Sequence, residues 1–413
     1  MAVRITSLPI LSGFDRARWA RAADWLAVGV AVSLPWSTTA TGVFIALWLI
    51  AVLPTLDAGM LRRELKAAAG FLPVLLWLLA AIGVLWADAT WAERIGGLGK
   101  FHRLLVIPLL LMHFRRSANG IWVVYGFFAS VLALLAASFG LALIPGLPWR
   151  GMHQAGVPAK DYIFQSANFL ICAFALLACG CEAARARQWL RALGFVALAV
   201  LFLANIFFIV GSRTALVVAP VLLLLLGWRE FGWKGLVGAG LLGSMVGAAI
   251  WFGSPYLRER LLTSVNELQA YRANDATNST SLHLEFLRKS LSFIDTAPII
   301  GHGTGSIPKL FRNAAVGQAG AASVTSENPH NQFFAVAIQL GLIGTVVLLA
   351  MWIAHLLLFR GGGLHAWFGV SVVVQNVVSS LFNSHLFDFT SGWLYVFGVG
   401  VVGGMVLRKR DCA

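Results

Sequence analysis

The sequence has few charged residues, few cysteines and none of the common motifs of nucleotide- or metal-dependent enzymes. Only 12% of its 413 residues are charged, whereas a soluble globular chain carries about 25%. This difference excludes a soluble enzyme, a disordered chain and a disulfide-rich secreted module. The four cysteines lack metal-ligand spacing, so neither a disulfide framework nor a metal site is expected. The sequence contains no P-loop, no GxGxxG after a strand, no HExxH and no internal repeat.

Apolar residues make up 59% of the chain, and its mean hydropathy is +0.81. A transmembrane helix needs about 20 mostly apolar residues, and uninterrupted runs such as residues 221–226 do not alternate as barrel strands do. The fold class predicted is therefore an all-α polytopic membrane protein with about twelve transmembrane helices. The apolar runs are 24–36, 39–56, 71–87, 101–114, 121–143, 163–180, 189–210, 214–227, 235–253, 332–358, 364–383 and 392–407. They divide the chain into residues 1–253 (helices 1–9), a long outer helical segment at 254–331, and residues 332–413 (helices 10–12 and a tail).

Basic residues predict the orientation of the chain, which has 31 Lys and Arg against 17 Asp and Glu. With the N-terminus inside, the inner segments carry 18 Lys and Arg. The outer side has 6 once the long segment is left out, because long loops are translocated regardless of charge. Arg16, Arg18 and Arg21 precede the first apolar run, which indicates an anchored start rather than a cleaved signal peptide. Because no basic soluble domain is present, nucleic acid is not expected as a partner.

Six basic residues oppose this trend at the outer face: Arg94, Lys100, Arg103, Arg150, Lys160 and Arg213. They either contact lipid headgroups or together line a site for an anionic ligand. Arg213 stands in a very short break between two apolar runs, so it must lie at the membrane edge, where an ionisable residue is a functional candidate. Its guanidinium suits bidentate binding of phosphate, and snorkelling to lipid phosphate is the alternative.

The outer segment contains further candidates. An apolar stripe predicts a helix at 282–294, ended by Pro298 and followed by a flexible turn at 301–306. Pro329 fits a helix start, which places His330 in the first helical turn. There the imidazole tends to be neutral and suited to act as a general base; a capping or interfacial role is the alternative. Asp388, between the last two spans, either orients a basic partner or caps the last helix.

Several stretches, taken in order, resemble the O-antigen ligase/polymerase superfamily, and most closely the O-antigen ligases of Gram-negative bacteria. They are residues 211–214 (GSRT), 301–306 (GHGTGS), 328–332 (NPHNQ), 339–344 (QLGLIG) and the polar stretch 383–388. The resemblance covers about residues 205–400, while the N-terminal half is similar only in hydropathy.

This resemblance implies an inner-membrane glycosyltransferase of the GT-C type. Such ligases transfer O-antigen polysaccharide from undecaprenyl pyrophosphate to a sugar hydroxyl of the lipid A–core at the periplasmic face, with no nucleotide sugar, metal or cofactor. The partners implied are the lipid-linked donor, the lipid A–core acceptor and membrane lipids.

The resemblance also implies the site residues. The family's essential histidine corresponds to His330 and one essential arginine to Arg213. A second arginine usually precedes a Leu-Glu-Phe-like triplet, but here that position holds His283, and the nearest arginine is Arg288. We expect Arg288 to be catalytic, because a permanent cation suits pyrophosphate better than a titrating imidazole, with His283 as its rival. The substrate-binding residues expected are His283, His302, Lys309, Asn331, Arg103, Lys160 and Asp388.

Three other functions compete with a ligase. An O-antigen polymerase would share the arginine and histidine arrangement and differ in its acceptor. A transporter would place ionisable groups near the bilayer midplane and often show inverted repeats, whereas these spans are nearly free of charge. A structural scaffold would need no arginine at the outer membrane edge.

Overall fold

The computed structural model describes residues 15–144, 146, 149, 156–253, 258–259, 262–263, 266–267, 269 and 277–412. Every regular element in these ranges is helical. In chain order the helices are α1 (Arg16–Ser33), α2 (Thr38–Val52), α3 (Ala58–Lys66), α4 (Ala68–Gly83), α5 (Trp91–Gly99), α6 (Val106–Arg116), α7 (Gly120–Leu143), α8 (Tyr162–Arg185), α9 (Trp189–Asn205), α10 (Arg213–Gly253), α11 (Ser279–Thr296), α12 (Ile307–Ala315), α13 (Gln332–Leu358), α14 (Leu364–Ser379) and α15 (Phe389–Asp411). Arg150 lies outside the described residues.

Eight of the described helices are long and apolar enough to cross a membrane, or nine if the bent pair α3–α4 is one span. The chain is therefore built as a polytopic membrane protein. The two runs 214–227 and 235–253 form one element, the 41-residue helix α10, and α14 has only 16 residues. These two features account for part of the difference between the eight or nine candidate spans in the described residues and the twelve apolar runs of the sequence.

Helix α10 is folded back on itself at Gly232. Gly232 has a φ of 61° and a ψ of −143°, which is not helical. The arms on its two sides then touch, because a Cβ on Gly235 would lie 2.0 Å from the Gly227 carbonyl oxygen and one on Gly243 would contact Leu223. The two apolar runs are thus antiparallel arms of one helical hairpin.

Helix α8 lies in the middle of the bundle. Every residue from Phe164 to Leu176 is buried, and α8 packs against α9, α10 and α14. Around it, α15 packs against α6 and α14, and α1 packs against α2 and α7. A continuous apolar core extends through these helices.

Basic residues that the sequence analysis placed on the inner side gather at the end of the bundle where α15 ends. Arg115 bonds to Glu64 Oε1 and Asp411 Oδ2 at 2.7 Å each, and Arg63 reaches Asp411 at 3.1 Å. In the same region Arg410 donates to the Leu358 carbonyl at 2.9 Å. The opposite end, where α15 begins, carries α11, α12 and the predicted site residues; we call it the site end.

Helix α13 is broken at Gly341, which has a φ of 62° and a ψ of −157°. The segment that follows α11 caps both sides of the break. The backbone N–H groups of His302 and Gly303 donate to the carbonyls of Ile338 and Gln339 at 2.8 and 2.9 Å. On the other side, the N–H of Leu342 donates to the Pro298 carbonyl at 2.8 Å.

Residues 301–306 are therefore not the flexible turn that the sequence predicted. All except His302 are buried. Thr304 donates through its N–H to the Gly83 carbonyl at 3.0 Å and through Oγ1 to Ala80 at 2.7 Å. The glycines of this stretch allow close packing of backbones rather than motion. The segment connects α4 and α13 by hydrogen bonds to both helices.

Candidate active site

A cavity of about 680 Å³ opens at the site end of the bundle. Its walls come from the start of α8, the start of α10, α11, the segment before α13 and the segment after α14, with Thr263 and Glu267 between α10 and α11. The residues with functional groups in its lining are Tyr162, Ser212, Arg213, Thr214, Thr263, Glu267, Thr280, His283, His330, Asn331 and Asn383. The cavity thus brings together Arg213, His283, His330 and Asn331, which the sequence analysis had selected from separate segments.

His330 lies just before α13, not in its first turn as predicted. Asn331 is the N-cap, because its side chain accepts hydrogen bonds from the N–H groups of Phe333 and Phe334 at 2.9 and 3.2 Å. His330 has a φ of 54°, a left-handed conformation that is uncommon for residues other than glycine. Such backbone strain clusters at functional sites, where surrounding contacts maintain it.

A hydrogen-bonded group of three polar side chains holds the His330 backbone. The Oδ1 atom of Asn328 accepts from the His330 N–H at 2.9 Å and from the Ser384 hydroxyl at 2.7 Å. The Asn328 amide donates to Asn383 Oδ1 at 2.9 Å. The segment after α14 therefore fixes the segment before α13.

The His330 ring is placed by two rings of α11. It stacks on Phe286, with the ring centres 5.6 Å apart and an angle of 10° between the planes. It meets His283 edge to face at 5.0 Å. One turn of α11 thus supplies both contacts, which orients the imidazole inside the cavity.

Both histidines are kept in the neutral form. Burial lowers the pKa of His283, and the Arg213 charge lowers it further. Burial also lowers the pKa of His330, with His283 acting in the same direction and a hydrogen bond to Asn383 opposing it. A neutral imidazole can accept a proton, as a general base must.

Arg213 is the first residue of α10. A π-helical turn at Ile206–Val210 ends α9, and Gly211 then takes a left-handed conformation with a φ of 55°. This tight connection places Arg213 at the cavity wall. Its Nε is buried without a hydrogen-bond partner among the described residues, although buried polar groups are nearly always paired. The guanidinium is therefore available to a ligand.

Four other basic residues of the site end, Arg94, Arg103, Lys160 and Lys309, bind protein groups. Arg103 donates to the Phe387 carbonyl at 3.2 Å, and Lys160 donates to the Leu34 carbonyl. Arg94 donates to the carbonyls of Val84 and Ala89 at 3.0 Å each, and Lys309 pairs with Asp88. In the described part of the chain these residues tie segments of the site end together, and none of them lines the large cavity.

The remaining predicted residues also lie away from this cavity. The Arg288 side chain is 72% exposed and pairs with Glu285 at 3.3 Å. His302 Nε2 hydrogen-bonds to the Phe293 carbonyl at 2.8 Å, at the end of α11. Asp388 caps α15, accepting from the N–H groups of Thr390 and Ser391 at 2.9 Å each. Of the two candidates on α11, it is His283 that faces Arg213 and His330.

Sequence reasoning missed Phe286, Asn328 and Glu267. Phe286 belongs to the triplet that follows His283, and Asn328 opens the motif containing His330, so both were close to a recognised signal. Glu267 accepts a hydrogen bond from the Thr280 hydroxyl and had no recognisable pattern around it. Within the described ranges, no group of three or more His, Cys, Asp or Glu side chains is arranged to hold a metal.

Comparison with known proteins identifies the region that builds the cavity. Residues 197–349 match the family model described as O-antigen ligase. No curated protein matches the chain. The match contains the start of α10, all of α11 and the first part of α13, and it ends before Asn383. Residues 197–349, with Arg213, His283 and His330 among them, are therefore similar to the O-antigen ligase superfamily, as their motifs had indicated.

Proposed function

We propose that this protein is an O-antigen ligase of the inner membrane. It transfers O-antigen polysaccharide from undecaprenyl pyrophosphate to a sugar hydroxyl of the lipid A–core. The site end faces the periplasm, the twelve apolar runs form a GT-C-type arrangement, and the reaction needs no metal or cofactor. The family match supports a ligase or polymerase in general, and the cavity supports the finer assignment.

One observation carries the proposal: an arginine that has no partner among the described residues shares a cavity with an oriented histidine whose pKa is lowered by burial. Most other outer cations bind carbonyls or carboxylates of the protein. A guanidinium that is half-buried and not neutralised is an anion-binding group, and a pyrophosphate offers it several oxygens in bidentate geometry.

The chemistry follows from these positions. His330 takes the proton of the acceptor hydroxyl as the hydroxyl oxygen attacks the anomeric carbon of the first donor sugar. The bond from that carbon to the pyrophosphate oxygen breaks, and the lipid pyrophosphate leaves with the electron pair. Arg213 stabilises the negative charge that develops on the leaving group. Because attack and departure occur on opposite faces, the configuration at the sugar carbon inverts.

His283 takes the second position beside the pyrophosphate in this proposal, in place of Arg288. His283 lines the cavity and contacts His330, whereas Arg288 is exposed to solvent and pairs with Glu285. A neutral imidazole donates one hydrogen bond to a phosphate oxygen without adding charge beside Arg213. Asn331 and Asn383 supply amides to the sugar hydroxyls.

A ligation assay with purified protein tests the proposal. The reaction contains undecaprenyl-pyrophosphate-linked glycan, O-antigen-free lipopolysaccharide and EDTA, and a gel ladder is the readout. We expect a ladder from the unmodified protein, and a rate lower by about 10²- to 10⁴-fold in His330→Ala, the usual contribution of a general base. His102→Ala, an exposed histidine at the same end outside the cavity, is the matched control and should retain the rate.

The same assay separates the alternatives. A ladder of full intensity from His330→Ala would remove His330 as the base. If deletion in the cell left lipopolysaccharide capped with a single repeat unit, the protein would be a polymerase, because loss of a ligase leaves long polymer on the lipid carrier. Ion-dependent flux in proteoliposomes without any ladder would instead favour a transporter.

A further inference from the structure

A second, smaller cavity lies beside the large one at the site end. It measures about 110 Å³ and shares two lining residues, Pro329 and Asn383, with the large cavity. These two residues flank His330 in space, Pro329 as its chain neighbour and Asn383 through its side chain. A molecule in the small cavity would therefore lie next to the histidine, separated from Arg213 and His283, which line only the large cavity.

Lys100 points to a ligand in the small cavity. Its side chain lines the cavity, and among the described residues its ammonium group has no hydrogen-bond acceptor and no carboxylate within 4 Å, although the charge of Glu327, in the same lining, acts on it. Five of the six basic residues that oppose the positive-inside trend are described, and three of them, Arg94, Arg103 and Lys160, are bound to backbone carbonyls. The two that are not, Arg213 and Lys100, line one cavity each.

Polar side chains held in fixed orientations make up much of the remaining lining, beside the apolar residues Ile307, Pro329 and Ala335. Asp388 also lines the cavity, and its carboxylate accepts the two N–H groups that begin α15. Asn328 and Ser384 bond to each other at 2.7 Å, and Asn328 also bonds to Asn383 at 2.9 Å. Glu327 adds a carboxylate, and Phe387 adds an aromatic ring. Fixed amides, a hydroxyl, charged groups and one ring are the set of groups that hydrogen-bonds the hydroxyls of a sugar and packs against its apolar face.

The volume limits the size of the ligand. A buried water molecule needs a cavity volume of about 10–15 Å³, so the cavity of about 110 Å³ has room for on the order of eight waters. That is roughly the number of waters that one sugar ring displaces. A polysaccharide segment or a lipid pyrophosphate does not fit. Because Lys100 is a cation, a sugar that carries phosphate or carboxylate gains a charge-assisted hydrogen bond there.

We propose that the small cavity is the acceptor subsite: it binds one sugar ring of an anionic, lipid-anchored acceptor, with Lys100 contacting the ring's acidic substituent. The proposal rests on the proposed ligase function for the identity of the acceptor. The donor pyrophosphate occupies the large cavity at Arg213. The acceptor hydroxyl then approaches His330 from the side of Asn383, opposite the leaving group.

Equilibrium binding to the purified full-length protein tests this subsite without requiring turnover. The two probes are O-antigen-free lipopolysaccharide and undecaprenyl pyrophosphate. Lys100→Met should weaken binding of the lipopolysaccharide about tenfold or more and leave undecaprenyl pyrophosphate unchanged, whereas Arg213→Met should do the reverse. Lys100→Arg keeps the charge and should restore most of the lipopolysaccharide affinity. Lys234→Met, an exposed lysine on α10 outside both cavities, is the matched control.

Each outcome decides between the two proposals. Equal binding of both probes by Lys100→Met and the unmodified protein, with an active ligase, would overturn the subsite and leave the function intact. A selective loss of lipopolysaccharide binding in a protein that forms no ladder would support the subsite while the ligase function fails. If enzymatic removal of the core phosphates abolishes the difference between Lys100→Met and the unmodified protein, the charge contact is supported.

Discussion

At the scale of single residues, the candidate site places one cation, Arg213, in the same cavity as two imidazoles, His283 and His330. Arg213 is a permanent cation without a hydrogen-bond or ion-pair partner among the described residues. Burial lowers the pKa of both histidines, the Arg213 charge lowers that of His283 further, and His283 lowers that of His330 further. The described carboxylate in the lining is Glu267, which accepts from Thr280. Burial together with the neighbouring His283 thus favours the neutral form of the proposed base.

The pH dependence of ligation should reflect this coupling. His330 acts only when neutral, so the rate should fall as the pH drops through its pKa, and this limb should lie below the ordinary imidazole value of 6.5. His283→Gln removes the neighbour that lowers the His330 pKa, so the limb should move to higher pH. Initial rates from pH 4 to 8 measure both, and a limb unmoved in His283→Gln would contradict the coupling.

The sequence allowed a prediction of candidate site residues but not of which of them face one another. Arg213 and His330 were found because an arginine at a membrane edge and a histidine near a helix start are uncommon. The choice between His283 and Arg288 depended on which side of α11 meets α13, and that is set by the packing of Phe286 against Phe311 and His330. The contacts of Arg103, Lys160 and Lys309 are formed across the chain, so no local pattern predicts them.

At the scale of elements, the break in α13 connects the site to the core. The half-helix 332–340 begins beside His330. Carbonyls at its end accept hydrogen bonds from the backbone N–H groups of His302 and Gly303. The other half begins with N–H groups that donate hydrogen bonds to carbonyls of the segment after α11. The position of His330 relative to the bundle therefore depends on the close approach at Gly341.

Gly341→Ala should destabilise the protein strongly. Its φ of 62° is unfavourable for alanine, and a Cβ would lie 2.2 Å from the Ile299 carbonyl oxygen. We expect a loss of more than about 2 kcal/mol, as for strained and overpacked positions, seen as a lower melting temperature in detergent. Gly238→Ala in α10, where a Cβ meets nothing within 4 Å, should be neutral or stabilising; equal melting temperatures for the two variants would refute the constraint.

Helical periodicity predicted α11 well, since the stripe at 282–294 lies within Ser279–Thr296. It could not predict the breaks at Gly232 and Gly341, because glycine in an apolar run is compatible with both a continuous helix and a reversal. What separates these two from glycines such as Gly238 is a positive φ, and Gly341 in addition lies in close contact with Ile299. Both properties arise only in the folded chain.

At the scale of the whole molecule, the two ends of the bundle use their cations differently. At the end where α15 terminates, arginines bind carboxylates and connect α3, α6 and α15. At the site end, some cations also pair with carboxylates, as Lys309 does with Asp88, but others bind backbone carbonyls or line cavities. The positive-inside pattern predicted that the arginines at the end where α15 terminates lie together, because that pattern depends only on charge along the sequence. Which carboxylate each of these arginines binds depends on the fold.

Arg115→Met should destabilise the fold without changing the site. It leaves Glu64, whose side chain is 1% exposed, as a buried carboxylate without compensation, which costs about 3–5 kcal/mol. Arg18→Met breaks an exposed pair with Asp15 and should cost about 0–1 kcal/mol. Thermal unfolding compares the two, and ligation per folded molecule should be equal in both; a selective loss of specific activity in Arg115→Met would show that the two ends are coupled.

If the protein is the ligase proposed above, the size of the large cavity has a consequence for the products. A donor bound with its pyrophosphate at Arg213 fits only its first sugars into about 680 Å³, and all later units extend into solvent. Such a site does not contact the later repeat units, so it accepts short and long chains alike. The distribution of chain lengths on the finished glycolipid is then inherited from whichever enzyme assembled the donor, and exchanging that enzyme would change the ladder while this protein stays the same.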